Sequence, residues 1–515
     1  MQFPICQPPQ MKNVLEQINF RVDSQMESNS KLLLTNLRSC VKHLAAKNRD
    51  EFLAILNELS SIRLNDLDDF LHENDGEGYK LLADELIELI NLAIIPEFTS
   101  REHFIFEASD FKGCSDRTEL SLTLLRIVFD KLNGHNNNIS NRKKLVQIIL
   151  PDLMILLSSN AELSFWSPAK VVKITELTLE KLKDIFQCED ESLNKLFFPD
   201  DYTTASKSSV YGQYLLKIKT RLNKSNWMKN PNIQKSFEWM LKQIRFPHLS
   251  DFIDHVLPPS LNFVDDFNVE NKCCGVRCLG HVISNATREE LRWYGRSDVV
   301  YDVLYHQLFN HDAKLIQILH PVLLNLLPVF GKLPDAIDNH HKVFHIILRD
   351  VEFENNIINR RALTQNLPQF IDILGISIVN HTKKLLQIFE TYLEIYDGPE
   401  ETSRLNILKT LQQFILVAWP RIPLYSLYLA KILLKFMYDI SCDKSSTSDK
   451  VKAALICEAQ KCILYLKMCD EEQVTSFLES VESIKLNSII TILTLVVSTR
   501  CYKSMGITLG GIAGI

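Results

Sequence analysis

Glycine is scarce in this chain, 15 of 515 residues, and a sustained alternation of apolar and polar residues is almost absent. Both shortages exclude a strand-rich fold and point to an all-helical chain. A disulfide framework is missing too. The 12 cysteines are scattered, and some, such as Cys457 and Cys462, fall inside apolar helical patterns, which suits a reducing compartment. The apolar run from Ile489 to Val497 is too short to cross a bilayer, and the opening MQFPICQPPQ lacks the basic start and apolar run of a secretory signal. A cytosolic chain without a membrane partner is expected, with nuclear access left open. Positive charge is not in excess: a net charge of −6 and a pI near 6.2 give no overall field for nucleic acid.

Catalytic signatures are lacking as well. His341 and His345 have the spacing of a zinc-protease helix, but Lys342 stands where that chemistry needs a glutamate. Gly331-Lys332 resembles the end of a phosphate-binding loop, yet Leu326 occupies the place of its first glycine and no Ser or Thr follows the lysine. Gly295-Arg296-Ser297 lacks the second glycine of a nucleophile elbow. Cys274, Cys278 and His281 line one helix face and could offer zinc three ligands, but one straight helix rarely wraps a tetrahedral ion, so packing in the core is the reading preferred. Asp265-Asp266 with Glu270 nearby could be imagined as an acid and base; acids at a helix entrance more often cap it, with Glu270 completing a reciprocal arrangement. No catalytic residue, metal or cofactor is expected.

What the chain does have is leucine at helical spacing. Residues 1–30 read as a loose lead-in, and helical patterns run through an N-terminal region at 31–198. Turn formers from Pro199 to Ser209 interrupt them, and 199–225 reads as a linker with a basic segment. Helices resume over 226–484, where the pairs from about Ala313 to Cys469 have roughly the 40 to 47-residue spacing of HEAT-like repeats. Leu315, Leu319, Val322, Leu323 and Leu326 surround Pro321 in one of them, predicting a kinked core helix. The fold class expected is an α-solenoid of irregular HEAT-like helix pairs, an ARM-type superhelix, with a divergent tail at 485–515 that is disordered or strand-like from Tyr502.

The clearest unit is Tyr392 to Arg421, YLEIYDGPEETSRLNILKTLQQFILVAWPR. Leu385, Phe389, Tyr392 and Tyr396 keep helical spacing up to Asp397. Gly398 is expected to close that helix in a left-handed conformation, and Pro399 to open the next with Glu400 and Glu401 in its first turn. Leu405, Leu408, Leu411, Ile415 and Ala418 form the following stripe, which Trp419-Pro420 ends, with Trp419 read as its last buried member.

This wording closely resembles the Tel-two-interacting protein two family. So does a second block from Asn226 to Ile283, NWMKNPNIQKSFEWMLKQIRFPHLSDFIDHVLPPSL followed by DDFNVENKCCGVRCLGHVI. The resemblance runs from about Asn226 to about Cys469. It implies a non-enzymatic adaptor, the smallest subunit of the Triple T co-chaperone complex, whose partners are the Tel-two and Tti-one families. Indirectly it implies the Hsp-ninety chaperone system and the phosphatidylinositol-3-kinase-related kinases, and through them DNA-damage and growth signalling. Within its blocks, the candidate partner-binding or structural residues are Trp227, Pro231, Trp239, Asp265, Asp266, Glu270, Asn271, Tyr392, Asp397, Gly398, Pro399, Glu400, Trp419, Pro420 and Arg421. The alternatives are a helical-repeat transport receptor or phosphatase scaffold, and a metal-dependent enzyme built on Cys274, Cys278 and His281.

One further segment could dock an acidic or phosphorylated partner. Tyr202 to Phe237 holds Lys207, Lys217, Lys219, Arg221, Lys224, Lys229 and Lys235 with no Asp or Glu, and Tyr211, Tyr214 and Trp227 are interleaved. The simpler reading, a solvated linker and a basic helix face, is the one preferred.

Overall fold

The computed structural model describes residues 29–46, 49–61, 78–98, 106–133, 139–188, 193–198, 208–331, 334–443 and 445–482. Among them there is helix and no strand, in keeping with the shortage of glycine and of alternating patterns. Contacts divide the chain into two compact units, one ending at Ile244 and the other starting at Arg245. Of the linker and basic segment expected at 199–225, residues 199–207 lie outside the described residues, as do the lead-in up to residue 28 and the tail from 485, while Val210–Ile218 is helix.

The first unit contains α1 (Asn29–Ala46), α2 (Arg49–Ser61), α3 (Gly78–Ala93), α4 (Cys114–Asn133), α5 (Ile139–Ser159), α6 (Ala169–Phe186), α7 (Asn194–Phe197), α8 (Val210–Ile218) and α9 (Pro231–Gln243). Several helices pack on the next but one: α1 on α3, α3 on α5, α4 on α6. This is the stacking of helix pairs, in which every hairpin buries its apolar stripe against the following one. α8 and α9 both pack on α5 and so belong to this unit. A chain of hydroxyls fixes them there: Tyr214 Oη lies 2.8 Å from Ser236 Oγ, which lies 2.6 Å from Ser158 Oγ. Burial pushes the Tyr214 phenol above its ordinary range, so it stays neutral.

The second unit contains α10 (Ile253–Val264), α11 (Val269–Asn285), α12 (Arg288–Arg292), α13 (Arg296–Gln307), α14 (Ala313–Leu326), α15 (Pro334–Phe353), α16 (Ile357–Gln365), α17 (Leu367–Leu374), α18 (Thr382–Glu394), α19 (Thr402–Val417), α20 (Ser426–Cys442), α21 (Asp449–Cys469) and α22 (Glu471–Glu482). Hairpins α10/α11, α13/α14, α15/α16, α18/α19 and α20/α21 follow one another, and their second helices stack in order, α11 on α14, α14 on α16, α16 and α17 on α19, α19 on α21. The HEAT-like solenoid expected from the spacing is the architecture of this unit. The leucine helix expected around Pro321 is α14, with Pro321 inside it and Leu315, Leu319, Val322, Leu323 and Leu326 buried. The 18-residue stretch Ala313–Phe330 matches a bilayer span in length and composition, but half of that window is buried inside the protein, so its apolarity serves helix packing.

Candidate protein-interaction site

The α18/α19 hairpin departs instructively from its sequence pattern. Leu385, Phe389 and Tyr392 are buried as the spacing requires. The helix stops at Glu394, three residues early, because Ile395 turns extended, and Tyr396 is left 45% exposed. Gly398 is left-handed as expected, at φ +83°, but inside a turn at 395–401 rather than at the helix end. Pro399 therefore opens no helix, and Glu400 and Glu401 do not sit in a first turn: α19 begins at Thr402, behind Glu401 at φ +52°.

The turn is held by charges that the stripe analysis did not reveal. Asp397 is buried, and its Oδ2 accepts the Ser403 N–H at 2.8 Å, serving as the cap of α19 from outside the helix. Arg361 of α16 donates to the Asp397 carbonyl at 2.6 Å and to Glu400 Oε2 at 3.0 Å. Arg404 of α19 pairs with Glu401 at 3.0 Å and donates to the Leu393 carbonyl at 2.8 Å, closing the C-terminus of α18. Glu401 is fully buried, and desolvation raises its carboxyl pKa even though Arg404 pulls the other way. Tyr392 donates to the Val351 carbonyl at 2.7 Å with the Arg360 guanidinium over its ring at 4.1 Å. Tyr392, Asp397, Gly398 and Glu400 thus join successive repeats. Sequence gave a hint of Glu401 and Arg404, three apart on a helix, but none of Arg361, which lies far back in the chain.

Trp419 is not a core residue. The helix ends at Val417, Ala418 leaves helical geometry at φ −96°, and the chain enters a 3₁₀ turn over Trp419–Leu424. Ala418 and Ile422 continue the buried stripe while Trp419, 59% exposed, and its neighbours Pro420 and Arg421 face solvent. Trp419→Ala should leave the melting temperature almost unchanged, since exposed substitutions cost within about 0.5 kcal/mol. A scanning-fluorimetry shift of several degrees would contradict this placement.

In the other block, Pro231 starts α9, Trp227 is buried and Trp239 is half-buried. The expected Asp266–Glu270 capping pair does not form. Asn268 is the cap of α11, accepting from the Glu270 N–H at 2.9 Å, and Asp266 accepts from the Phe267 N–H at 2.7 Å and from the Asn271 side chain. Glu270 reaches Lys314 at 2.7 Å instead, and Asp265 is exposed. The two acids fail to pair because the chain makes a tight turn at 265–268 before the helix starts. The aromatic half of the basic segment is also unavailable to a partner, as Tyr211, Tyr214 and Trp227 are all buried. Lys217 pairs with Asp152 at 3.0 Å and Lys229 lies 3.8 Å from Glu97; Lys219, Lys224 and Lys235 are exposed, Arg221 is half-buried, and Lys207 is outside the described residues.

Cys274 and Cys278 are buried in the packed face of α11, and among the described residues no group of three or more His, Cys, Asp or Glu is placed to hold a metal ion. His341 Nδ1 lies 2.8 Å from His381 Nε2. Burial, together with His341, His345 and Lys384, lowers the His381 pKa to about 4, and burial alone does the same to His320 in α14. Both are neutral in the fold and take up protons near pH 6.5 once unfolded. Stability from these groups is therefore complete above about pH 6.5 and is lost as pH falls toward 4. His320, the deeper of the two, should account for about 2 to 3 kcal/mol. Urea midpoints measured at pH 7 and pH 4.5 should fall less for His320→Leu than for the natural chain.

Residues 213–395 match the sequence model of the Tti2 family. Among curated proteins the chain is similar to TELO2-interacting protein 2 of Rattus norvegicus, 38% identical over 271 residues, which is 51% of this chain and 53% of that protein. The Homo sapiens protein of the same name is 37% identical over the same length and the same shares. The chain spans about half the length of the curated relatives it matches. Solved structures similar to it include the Kap95:Nup1 complex, at TM-score 0.47 and 11% identity over 94% of this chain and 56% of that one, and yeast importin-beta, at TM-score 0.43 and 11% identity over 92% and 58%. The matched residues include Trp227, Pro231, Trp239, Asp265, Asp266, Glu270, Asn271 and Tyr392 and end at Ile395, the first residue of the turn at 395–401; Asp397 and Trp419 lie beyond them.

Proposed function

We propose that the chain is a non-enzymatic adaptor, a counterpart of TELO2-interacting protein 2 that joins the Tel-two and Tti-one subunits in the Triple T co-chaperone complex. On this reading it assists, with the Hsp-ninety system, the maturation and stability of phosphatidylinositol-3-kinase-related kinases, in the cytoplasm and with access to the nucleus. The observation that carries the proposal is the 38% identity to a protein whose name states that it interacts with TELO2. The fold supports it: a stack of helix pairs offers a long surface made of many repeats, the usual asset of scaffolds that hold other proteins. Endogenous tagging and gentle purification should recover both Triple T partners in stable amounts. Recovery of neither would refute the proposal.

A further inference from the structure

The second unit exposes one aromatic residue at each of four successive hairpin turns. Phe267 lies between α10 and α11, Phe309 between α13 and α14, Phe353 at the last position of α15 before the turn to α16, and Tyr396 between α18 and α19. Their exposures are 73, 47, 69 and 45%. The positions 267, 309, 353 and 396 recur at intervals of 42, 44 and 43 residues, the length of one repeat. Phe267 and Phe353 stand largely in solvent, while Phe309 and Tyr396 are about half exposed, Phe309 with Tyr305 and Arg349 beside its ring. Ile357, Ile358 and Ile395 add exposed apolar surface at two of the same turns.

Side-chain bonds place the turns in one row. Lys314 beside the second turn pairs with Glu270 of the first at 2.7 Å, and Asn359 beside the third donates to the His311 carbonyl of the second at 3.2 Å. Arg361 ties the third to Asp397 and Glu400 of the fourth, and Tyr396 Oη lies 3.4 Å from Ser446 Oγ in the turn after α20. That fifth turn carries Asp443, Ser445 and Thr447 bonded among themselves, so the aromatic row ends there.

Three of the four turns are acidic, while the second carries His311, Asp312 and Lys314 and has the Arg349 guanidinium over the Phe309 ring at 5.6 Å. Segments 265–270, 352–358 and 394–401 hold nine carboxylates and no basic residue. Asp266, Asp397 and Glu401 are buried; Asp265, Glu270, Glu352, Glu394 and Glu400 are exposed, and Glu354 is half-buried. Glu270, Glu352, Glu394 and Glu400 meet Lys314, Lys384, Lys435 and Arg361 from neighbouring helices. The Glu270–Lys314 and Glu394–Lys435 pairs are exposed and therefore weak, so a partner's cations can compete for these carboxylates.

We infer that this edge, Phe267, Phe309, Phe353 and Tyr396 with their flanking carboxylates, is a docking ridge for a single basic amphipathic helix of another protein. Packed helices lie about 8 to 10 Å apart, so successive turns present a ring at about that interval. A helix rises about 10 Å in seven residues, and about 20 residues span four rings. The occupant therefore offers an apolar residue at every seventh position, flanked by lysine or arginine. The inference rests on the reading of the chain as a protein-binding adaptor and adds which edge is used and what chemistry it accepts.

The test is site-specific photo-cross-linking in the full chain expressed in its own cells, with benzoylphenylalanine placed in turn at 267, 309, 353 and 396, and cross-linked residues mapped by mass spectrometry. Expected is one partner segment, cross-linked in order from all four positions at sites about seven residues apart, among lysines or arginines. Cross-links to unrelated proteins, to a second copy of this chain, to lipid, or to nothing would overturn it. Phe353→Ser with Phe267→Ser should keep the melting temperature, since both rings are exposed, while lowering that segment's affinity at least tenfold and weakening its dependence on salt. An unchanged affinity also overturns the ridge. Recovery of both Triple T subunits with the double variant and with no ordered cross-links would defeat the ridge and leave the adaptor reading standing.

Discussion

Arg404→Leu should destabilise the second unit by about 3 to 5 kcal/mol, the cost of leaving one member of a buried ion pair uncompensated. Glu401 is fully buried and its partner is Arg404 at 3.0 Å. The same guanidinium donates to the Leu393 carbonyl at 2.8 Å and stands 5.3 Å from the Phe436 ring, so its loss also uncaps α18 and loosens the contact with α20. A pH signature separates this cause from simple loss of packing. Desolvation already raises the Glu401 pKa, with Arg404 opposing it. Without the arginine the carboxyl binds a proton more readily, so the destabilisation should be smaller at pH 5 than at pH 8. Replacing both residues, Arg404→Leu with Glu401→Leu, should recover much of the loss, because an apolar pair of similar volume demands no desolvation of charge. Urea unfolding of the three variants decides it; a single variant within 1 kcal/mol of the natural chain would show that Glu401 is not held as a charge.

Gly275→Ala should cost about 2 to 3 kcal/mol, large for the addition of one methyl. A Cβ at Gly275 would lie 2.6 Å from the Val264 backbone nitrogen and 2.8 Å from the Ser260 carbonyl. Neither atom can swing aside, so α10 and α11 would have to separate, and the packing of Cys274, Cys278 and Phe263 would loosen with them. Gly280→Ala is the control. There the Cβ meets only a methyl of Val322 at 2.6 Å and no backbone atom, so the cost should be smaller than at Gly275. Equal thermal shifts for the two variants would contradict the backbone-contact argument.

The α18/α19 hairpin shows how far a stripe of apolar residues can be read. Leu385, Phe389, Tyr392, Leu408, Leu411, Ile415 and Ala418 are buried where their spacing put them, because each helix has one face that must leave water. Tyr396 and Trp419 follow the same spacing and are exposed, because the helices end before them, at Glu394 and Val417. Periodicity carries no information on where a helix stops when the stopping signal is a bond to a distant residue. Here Arg361, from the preceding repeat, fixes the carbonyl of Asp397, and Asp397 caps α19. The basic segment failed differently: lysines spaced among aromatics look alike whether the rings face a partner or the core, and the packing of α8 and α9 on α5 chose the core.

By itself the sequence determined the helical class, the repeat length, the buried leucine helix around Pro321, the left-handed glycine at 398 and the family resemblance. Each of these depends on residues close together in the chain, or on wording that needs no structure. Only the tertiary structure decided that Asp397, Glu401 and Arg404 are buried together, that Trp419 faces solvent, and that Phe267, Phe309, Phe353 and Tyr396 fall in one row. The reason is geometric: stacking hairpins brings into contact positions about one repeat apart, and no local pattern records which side of a turn such a stack will leave uncovered.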